Sequence, residues 1–469
     1  MFFRPTLDAA GRRLGQNPLT GELVPAVLIG TFVPGVGDPA NGMVLYNDGN
    51  YPSGFMDNRP IQVQPRFGFA YDVSGNGKMA VRGGFGVNKQ TVQSSSYVPA
   101  FVTAPPLQFS PQIYYGNIDV LFQATGGVLS ASNVQGVERI NKAPTIYNYS
   151  LGIQRQIHFS TLLDVSYVGN VARHLVQSRN QNTIPYGARF LPANLDPTTG
   201  RALPDNFFRR YMGYGSVSIL EYSGISNYNA LQASLTRRFT QGLQFGVAYT
   251  WSKAMDLTSA ELGGLPLYVS DRVWTYGKAT FDQTHMLVVN YSWELPKLTN
   301  IWNHPVAKWT FDHWQVSGIT SFASGQPRGI GFTTTDGADI AGGGDGERVI
   351  VTGKAPLPHG ERSFSRWFDT GVFARPPQGT FGNAPKDVYR GPGLNNWDIT
   401  FLKDFPLKRE TRKLQYRLEL YNAFNHTQFR SIDSTARFDP IGNQVNGQFG
   451  QATASRPARL MQMALKLYF

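Results

Sequence analysis

Apolar and polar side chains alternate with a period of two along much of this chain, and the alternation runs to its last residue. In the closing stretch LMQMALKLYF, Met461, Met463, Leu465, Leu467 and Phe469 fall on one side, and Gln462, Ala464 and Lys466 on the other. Such a segment predicts a strand whose two faces meet different surroundings. In LQFGVAYTWS, Leu243, Phe245, Val247, Tyr249 and Trp251 oppose Gln244, Gly246, Ala248, Thr250 and Ser252. HMLVVNYSWELP sets Leu287, Val289, Tyr291, Trp293 and Leu295 against Val288, Asn290, Ser292 and Glu294. LQYRLELYNAF sets Leu414, Tyr416, Leu418 and Leu420 against Gln415, Arg417, Glu419 and Tyr421. Apolar faces that end in Tyr and Trp match the aromatic girdle of a membrane-crossing strand.

Read throughout, the pattern predicts about eleven strands, near 65–74, 79–89, 146–158, 161–173, 227–239, 243–253, 284–295, 311–323, 395–405, 413–424 and 457–469. Their connections alternate in length. Residues 75–78, 159–160, 240–242 and 406–412 are short turns, with 296–310 a longer member of the same set. Residues 90–145, 174–226, 254–283, 324–394 and 425–456 are long polar stretches. Outer-membrane barrels show this alternation, with short periplasmic turns and long extracellular loops. Lipid leaves no unpaired backbone group tolerable, so spanning strands must close into a barrel, and single-chain bacterial barrels have even strand counts. The expectation is therefore an all-β, antiparallel transmembrane β-barrel, of which this chain holds the C-terminal half of roughly 22 strands, the size of plugged outer-membrane transporters. On that reading residues 1–64 are the remnant of an extracellular loop region and residues 65–469 carry the strands.

Composition agrees with β-structure and long loops: 50 Gly, 30 Pro and 13% aromatics, with 16% charged residues against roughly 25% in ordinary soluble domains. Cysteine is absent, which excludes disulfides, thiolate metal sites and cysteine catalysis. The opening MFFRPTLDAAGRRLG has no continuous apolar core or small-residue cleavage site, so it does not read as a secretory signal. No stretch reaches the roughly 18 apolar residues of a membrane-crossing helix. The net charge of +12 is spread along the chain, and its one basic run, Lys408, Arg409, Arg412 and Lys413, is broken by Glu410. Without a recognition motif this predicts no nucleic-acid partner.

Six families of segments in their order, PRFGFAYDVSGNGKMAVRGGFGV, AYTWSKAMD, FDQTHMLVVNYSWELP, WQVSGITSFASGQP, GTFGNAPKDVYRGPGLNNWDITFLKDFPL and RLELYNAFNHTQF, resemble the C-terminal barrel of TonB-dependent receptor-like proteins of the Oar type. The resemblance covers residues 65–469. It implies a signal peptide, a carboxypeptidase-regulatory-like domain and a plug that lie outside this chain, and contact with the TonB complex through that part. It also implies a Gram-negative outer-membrane location among lipid and lipopolysaccharide, uptake of an oligosaccharide, peptide or metal chelate, and no cofactor. The terminal Phe469 with Met461, Met463, Leu465 and Leu467 resembles the signal read by the barrel-assembly machinery.

Other chemistry is sparse. Asp336, Asp339, Asp345 and Glu347 in DGADIAGGGDGE suit calcium by type, without EF-hand spacing, and a solvated flexible loop is the alternative. The seven histidines form neither HExxH nor a helical pair, Gly75-Asn76-Gly77-Lys78-Met79 reads as a turn and not a phosphate loop, and no G-x-S-x-G elbow occurs. Arg82, Asp164, Glu294, Asp398, Arg417 and Glu419 are expected to face the lumen, where charge needs no catalytic role. The loop aromatics Tyr97, Phe101, Tyr114, Tyr115, Phe207, Phe208, Tyr211 and Tyr214 are candidates either to grip an extracellular ligand or to pack loops together. The expected function is that of a non-enzymatic transporter wall. A surface adhesin or structural barrel is the alternative, and a soluble carbohydrate-binding β-sandwich or propeller a third.

Overall fold

The computed structural model describes residues 1–44, 48–91, 98, 102–109, 111–113, 117–119, 128–129, 131–407 and 412–469. Tyr97, Phe101, Tyr114, Tyr115, Lys408, Arg409 and Glu410 lie outside the described residues.

Eleven strands follow one another in chain order as an antiparallel meander. They are β1 (Arg66–Asp72), β2 (Met79–Lys89), β3 (Thr145–Ile157), β4 (Thr161–Asn180), β5 (Tyr214–Thr240), β6 (Leu243–Asp256), β7 (His285–Glu294), β8 (Trp314–Ala323), β9 (Leu394–Pro406), β10 (Lys413–Tyr421) and β11 (Leu460–Tyr468). Every strand expected from alternation is present, and the connections keep their short and long order. Among the described residues, however, no strand pairs with the outer edge of β1 or of β11, so the sheet is open.

Local chemistry sets the turns. The carboxylate of Asp72 accepts the amides of Ser74, Gly75 and Gly77 at 3.2, 3.0 and 2.7 Å, closing the β1–β2 turn around two glycines of positive φ. Phe159 and Ser160 between β3 and β4, and Gln241 and Gly242 between β5 and β6, are paired residues of positive φ. This is the type I′ hairpin geometry that matches strand twist.

Register carries the alternation from strand to strand. Leu243, Trp293, Val316, Phe401, Leu418 and Met463 form one continuous apolar row, and Ser292, Ser317, Thr400, Glu419 and Gln462 a polar row on the opposite face. Toward the long-loop end the apolar face carries Tyr149 and Tyr167, stacked at 6.2 Å, with both hydroxyls donating to Asn229 Oδ1. Trp251 is 54% exposed on that face, an arrangement that suits an interface with lipid headgroups and not water alone.

Three expectations need correction. Residues 174–180 and 214–226 are strand and not loop: β4 has 20 residues and β5 has 27, where roughly 9–11 cross a membrane. The upper halves of both project past the sheet, and the register shifts between Ala172, Leu175 and Gln177 interrupt the alternation that would have revealed them. His174, at φ 57, marks this bulge. Residues 311–313 precede β8, and the 296–313 connection contains a helix, Pro305–Thr310. The third correction concerns the long stretches after β8 and β10, which are not solvated chain.

Residues 324–394 and 425–456 fold together. Gly331–Thr334 pairs in parallel with Thr435–Phe438, Pro327–Arg328 with Tyr389–Arg390, Ile350–Val351 with Phe373–Ala374, and Phe429–Ile432 with Ala452–Ser455. Their core holds Phe368, Val349 and Phe438, each 0% exposed, together with Phe373, Tyr389 and Phe449. The Phe368 ring lies 4.6 Å from Tyr389, 5.2 Å from Phe449 and 5.8 Å from Phe373. Near the N-terminus, Arg4–Leu7, Arg13–Gln16 and Leu23–Pro25 form a small antiparallel sheet over Phe3, Leu28 and Val33. The segment that follows it rests on the start of β5, where Phe32 meets Tyr214 edge-on at 5.3 Å.

Candidate functional site

Two surfaces collect the candidate residues: the polar face of the sheet and the folded loops at its long-loop end. Strand register places Arg82, Asp164, Glu294, Asp398, Arg417 and Glu419 on the same, polar face. They are dispersed over it. Asp164 Oδ1 accepts from Ser166 Oγ at 2.7 Å, and Asp398 Oδ1 from the Asn422 amide at 2.9 Å. Arg417 Nη1 lies 3.3 Å from Glu419 Oε1, while its buried Nε has no hydrogen-bond partner. The opposite edge of this set is the terminal strand: Met461, Met463, Leu465, Leu467 and Phe469 are 56, 66, 68, 58 and 94% exposed, beside an edge that β11 leaves open.

The acidic loop is anchored, and three of its four carboxylates go to separate partners, while burial pushes that of Glu347 up. Asp345 accepts Thr183 Oγ1 at 2.7 Å with one oxygen and the Leu267 amide at 2.8 Å with the other. Asp339 takes Arg189 Nη1 and the Gly342 amide, both at 2.8 Å, and Asp336 lies 3.5 Å from Arg375. Its hydrogen bonds to Asp205 and then to Asp339 hold the Arg189 guanidinium more firmly protonated than usual. Among the described residues no three acidic or imidazole groups converge as a metal site would require. The glycines of GGG serve close approach, since a Cβ on Gly343 would collide with the Pro185 carbonyl oxygen at a φ of +142°. Gly343→Ala is expected to destabilise the loop unit by about 1–3 kcal/mol. Faster limited proteolysis within 324–394, at unchanged membrane insertion, is the readout.

Further ion pairs tie the loops to the strand tops. Arg179 Nη2 meets Glu221 Oε1 at 2.8 Å and Asp271 Oδ2 at 2.7 Å, and Lys278 meets Asp387 at 2.9 Å. Lys386 pairs with Asp256 and Arg390 with the fully buried Asp282. The Arg348 guanidinium stands 4.0 Å over the Trp274 ring. Of the described loop aromatics, Phe207 and Phe208 contact each other at 6.0 Å, Tyr214 packs on Phe32, and the Tyr211 ring lies under Arg210 at 5.3 Å. Tyr214 thus holds the N-terminal segment to β5, while Phe207 and Phe208 meet as neighbours within one loop. A cleft of about 750 Å³ opens where the loop unit meets β6, β7 and β8, lined by Tyr249, His285, Arg362, Trp367 and Tyr389. Tyr249 Oη and His285 Nδ1, diagonal neighbours on β6 and β7, are hydrogen-bonded in its wall at 2.8 Å. Burial pushes the Tyr389 phenol up to about 12, so it stays neutral.

Sequence reasoning missed Phe368, Phe373, Phe438 and Phe449 as a core. Nothing periodic marks them; their only signal is the density of aromatics inside glycine- and proline-rich chain.

Comparison with known proteins follows the strands. The sequence matches none of the curated proteins searched. Among solved structures, the outer membrane transporter YddB from Escherichia coli is similar at 11% identity and a TM-score of 0.40, over 87% of this chain and 41% of that one. The FrpB iron transporter from Neisseria meningitidis is similar at 10% identity and a TM-score of 0.37, over 86% and 39%. The siderophore receptor PirA from Acinetobacter baumannii stands at 12% and 0.38, over 86% and 40%. The chain therefore spans about two fifths of the length of these structures. A family model described as an outer membrane beta barrel domain matches residues 23–462, nearly the whole chain. With its two-faced meander and that match, the chain belongs to the outer-membrane β-barrel domain family and is a protein of the Gram-negative outer membrane.

Proposed function

We propose that this chain forms the C-terminal wall and outer loops of a TonB-dependent transporter of the Oar type, taking up an oligosaccharide, peptide or metal chelate. The observation that carries the reading is the run of eleven consecutive antiparallel strands with one apolar and one polar face and large folded loops at a single end. Eleven more strands would pair with the open edges of β1 and β11 and complete a barrel of roughly 22. The polar face, with Arg82, Asp164, Glu294, Asp398, Arg417 and Glu419, then lines the lumen. The short turns face the periplasm and the loop unit faces outward. Met461 to Phe469 at alternate positions present the closing edge to the assembly machinery. No catalytic role is assigned to any residue.

The loop unit also fits the adhesin reading, because a core of its own needs no transport to justify it. The two are separated in cells that make the full-length protein by following a fluorescent oligosaccharide, with and without TonB. Periplasmic accumulation that disappears without TonB supports transport. Surface binding unaffected by TonB, with no accumulation, overturns it in favour of adhesion.

A further inference from the structure

The connection between β7 and β8 is built unlike the other short turns. Within eleven residues it exposes Ile301 at 87%, Trp302 at 51%, Val306 at 54%, Trp309 at 59% and Phe311 at 49%. The helix Pro305–Thr310 folds back over the apolar face of β9, where the Trp309 ring lies 5.8 Å from that of Phe405. In water such a patch is unfavourable; at a membrane interface aromatic rings and basic chains are both favoured.

Beneath the helix lies Lys403. Register puts it on the apolar face, in the row of Trp314, Tyr416 and Leu465, and it is 2% exposed. An ammonium has three protons. Lys403 donates to the Asp312 carbonyl and otherwise faces the rings of Phe405 and Trp314, at 5.2 and 5.8 Å. Beside it a cleft of about 550 Å³ is lined by His304, Lys308, Trp309, Lys403, Asp404 and Phe405, among others. Two carboxylates stand near Lys403 and offset part of its charge: Asp404, engaged by Lys413 at 2.6 Å and Gln415 at 2.9 Å, and Asp312, which accepts Thr299 Oγ1 at 2.6 Å. Lys308 is a further cation of the cleft lining. His304 Nδ1 accepts the Val306 amide at 3.2 Å, which leaves Nε2 to carry the ring proton in the neutral form. Its ring is held by stacking on Trp302 at 5.2 Å and 11°.

We propose that this cleft binds the phosphate of a phospholipid headgroup from the leaflet at the short-turn end, and that the 296–313 connection anchors the barrel rim there. His304 Nε2–H and Lys308 contact the phosphate, Lys403 adds charge from below, and the acyl chains run along Trp309 and Phe405. The proposal rests on the barrel reading above, because only in a membrane does the apolar face meet lipid.

Native mass spectrometry of the detergent-extracted full-length protein, with added phosphatidylglycerol, tests it. The wild type is expected to retain one lipid, and Lys308→Gln to weaken retention about fivefold, the effect of one lysine at an anionic surface. His304→Gln with Lys308→Gln should weaken it further. Heat-modifiable migration on gels reports separately that the barrel is folded. Undiminished retention in a heat-modifiable double variant overturns the lipid site, as does displacement of the lipid by millimolar inorganic phosphate, which would mean a free-anion site. Loss of heat-modifiability in the wild type would instead remove the barrel reading itself.

Discussion

Leu418→Arg is expected to abolish accumulation of the full-length protein in the outer membrane, whereas Thr400→Arg, on the neighbouring strand and the other face, is expected to be tolerated. Leu418 stands mid-row between Phe401 and Met463 on the apolar face, and Thr400 between Ser317 and Glu419 on the polar one. An arginine on the lipid face near the bilayer centre costs about 2–4 kcal/mol, a large share of a typical folding free energy. On the polar face the same side chain gains water and the Glu419 carboxylate. The measurement is the heat-modifiable fraction in isolated outer membranes. Equal loss in both variants would mean that the two faces do not meet different solvents.

Phe368→Ala should cost the loop unit about 3–5 kcal/mol, the range for removing a fully buried aromatic side chain. Phe368 is 0% exposed and touches Phe373, Tyr389 and Phe449, so its removal leaves a cavity at the centre of the cluster. Because this core is separate from the strand ladders, the barrel should insert normally while residues 324–394 and 425–456 become protease-sensitive. Loss of membrane insertion in the same variant would show that the loop unit and the sheet fold as one.

The strands were legible and the loops were not, for a physical reason. A strand between lipid and a polar interior writes its two environments into alternate residues, as Leu243 to Ser252 show, and its ends are marked by turn chemistry such as Gln241-Gly242. Where the strands leave the membrane the contrast fades, so the 27 residues of β5 were foreshortened at the Tyr214 end. The loop core is assembled from isolated aromatics far apart in sequence, with pairings of two to four residues, too short to impose a period. The carboxylates of the acidic loop were visible as residues, but their partners Thr183, Arg189 and Arg375 were not, because only the fold brings them near. Lys403 falls between Phe401 and Phe405 on the apolar side, and register adds Trp314, Tyr416 and Leu465 beside it.

The parallel pairing of Gly331–Thr334 with Thr435–Phe438 joins segments about a hundred residues apart, on either side of the β9–β10 hairpin. Each neighbouring strand pair needs only a short or single-loop closure, but this pairing needs β9 and β10 already drawn together. Contacts that span long separations form late. The loop unit should therefore mature after the hairpins have zipped, making protease resistance of residues 324–394 a clock for the last stage of assembly at the cell surface.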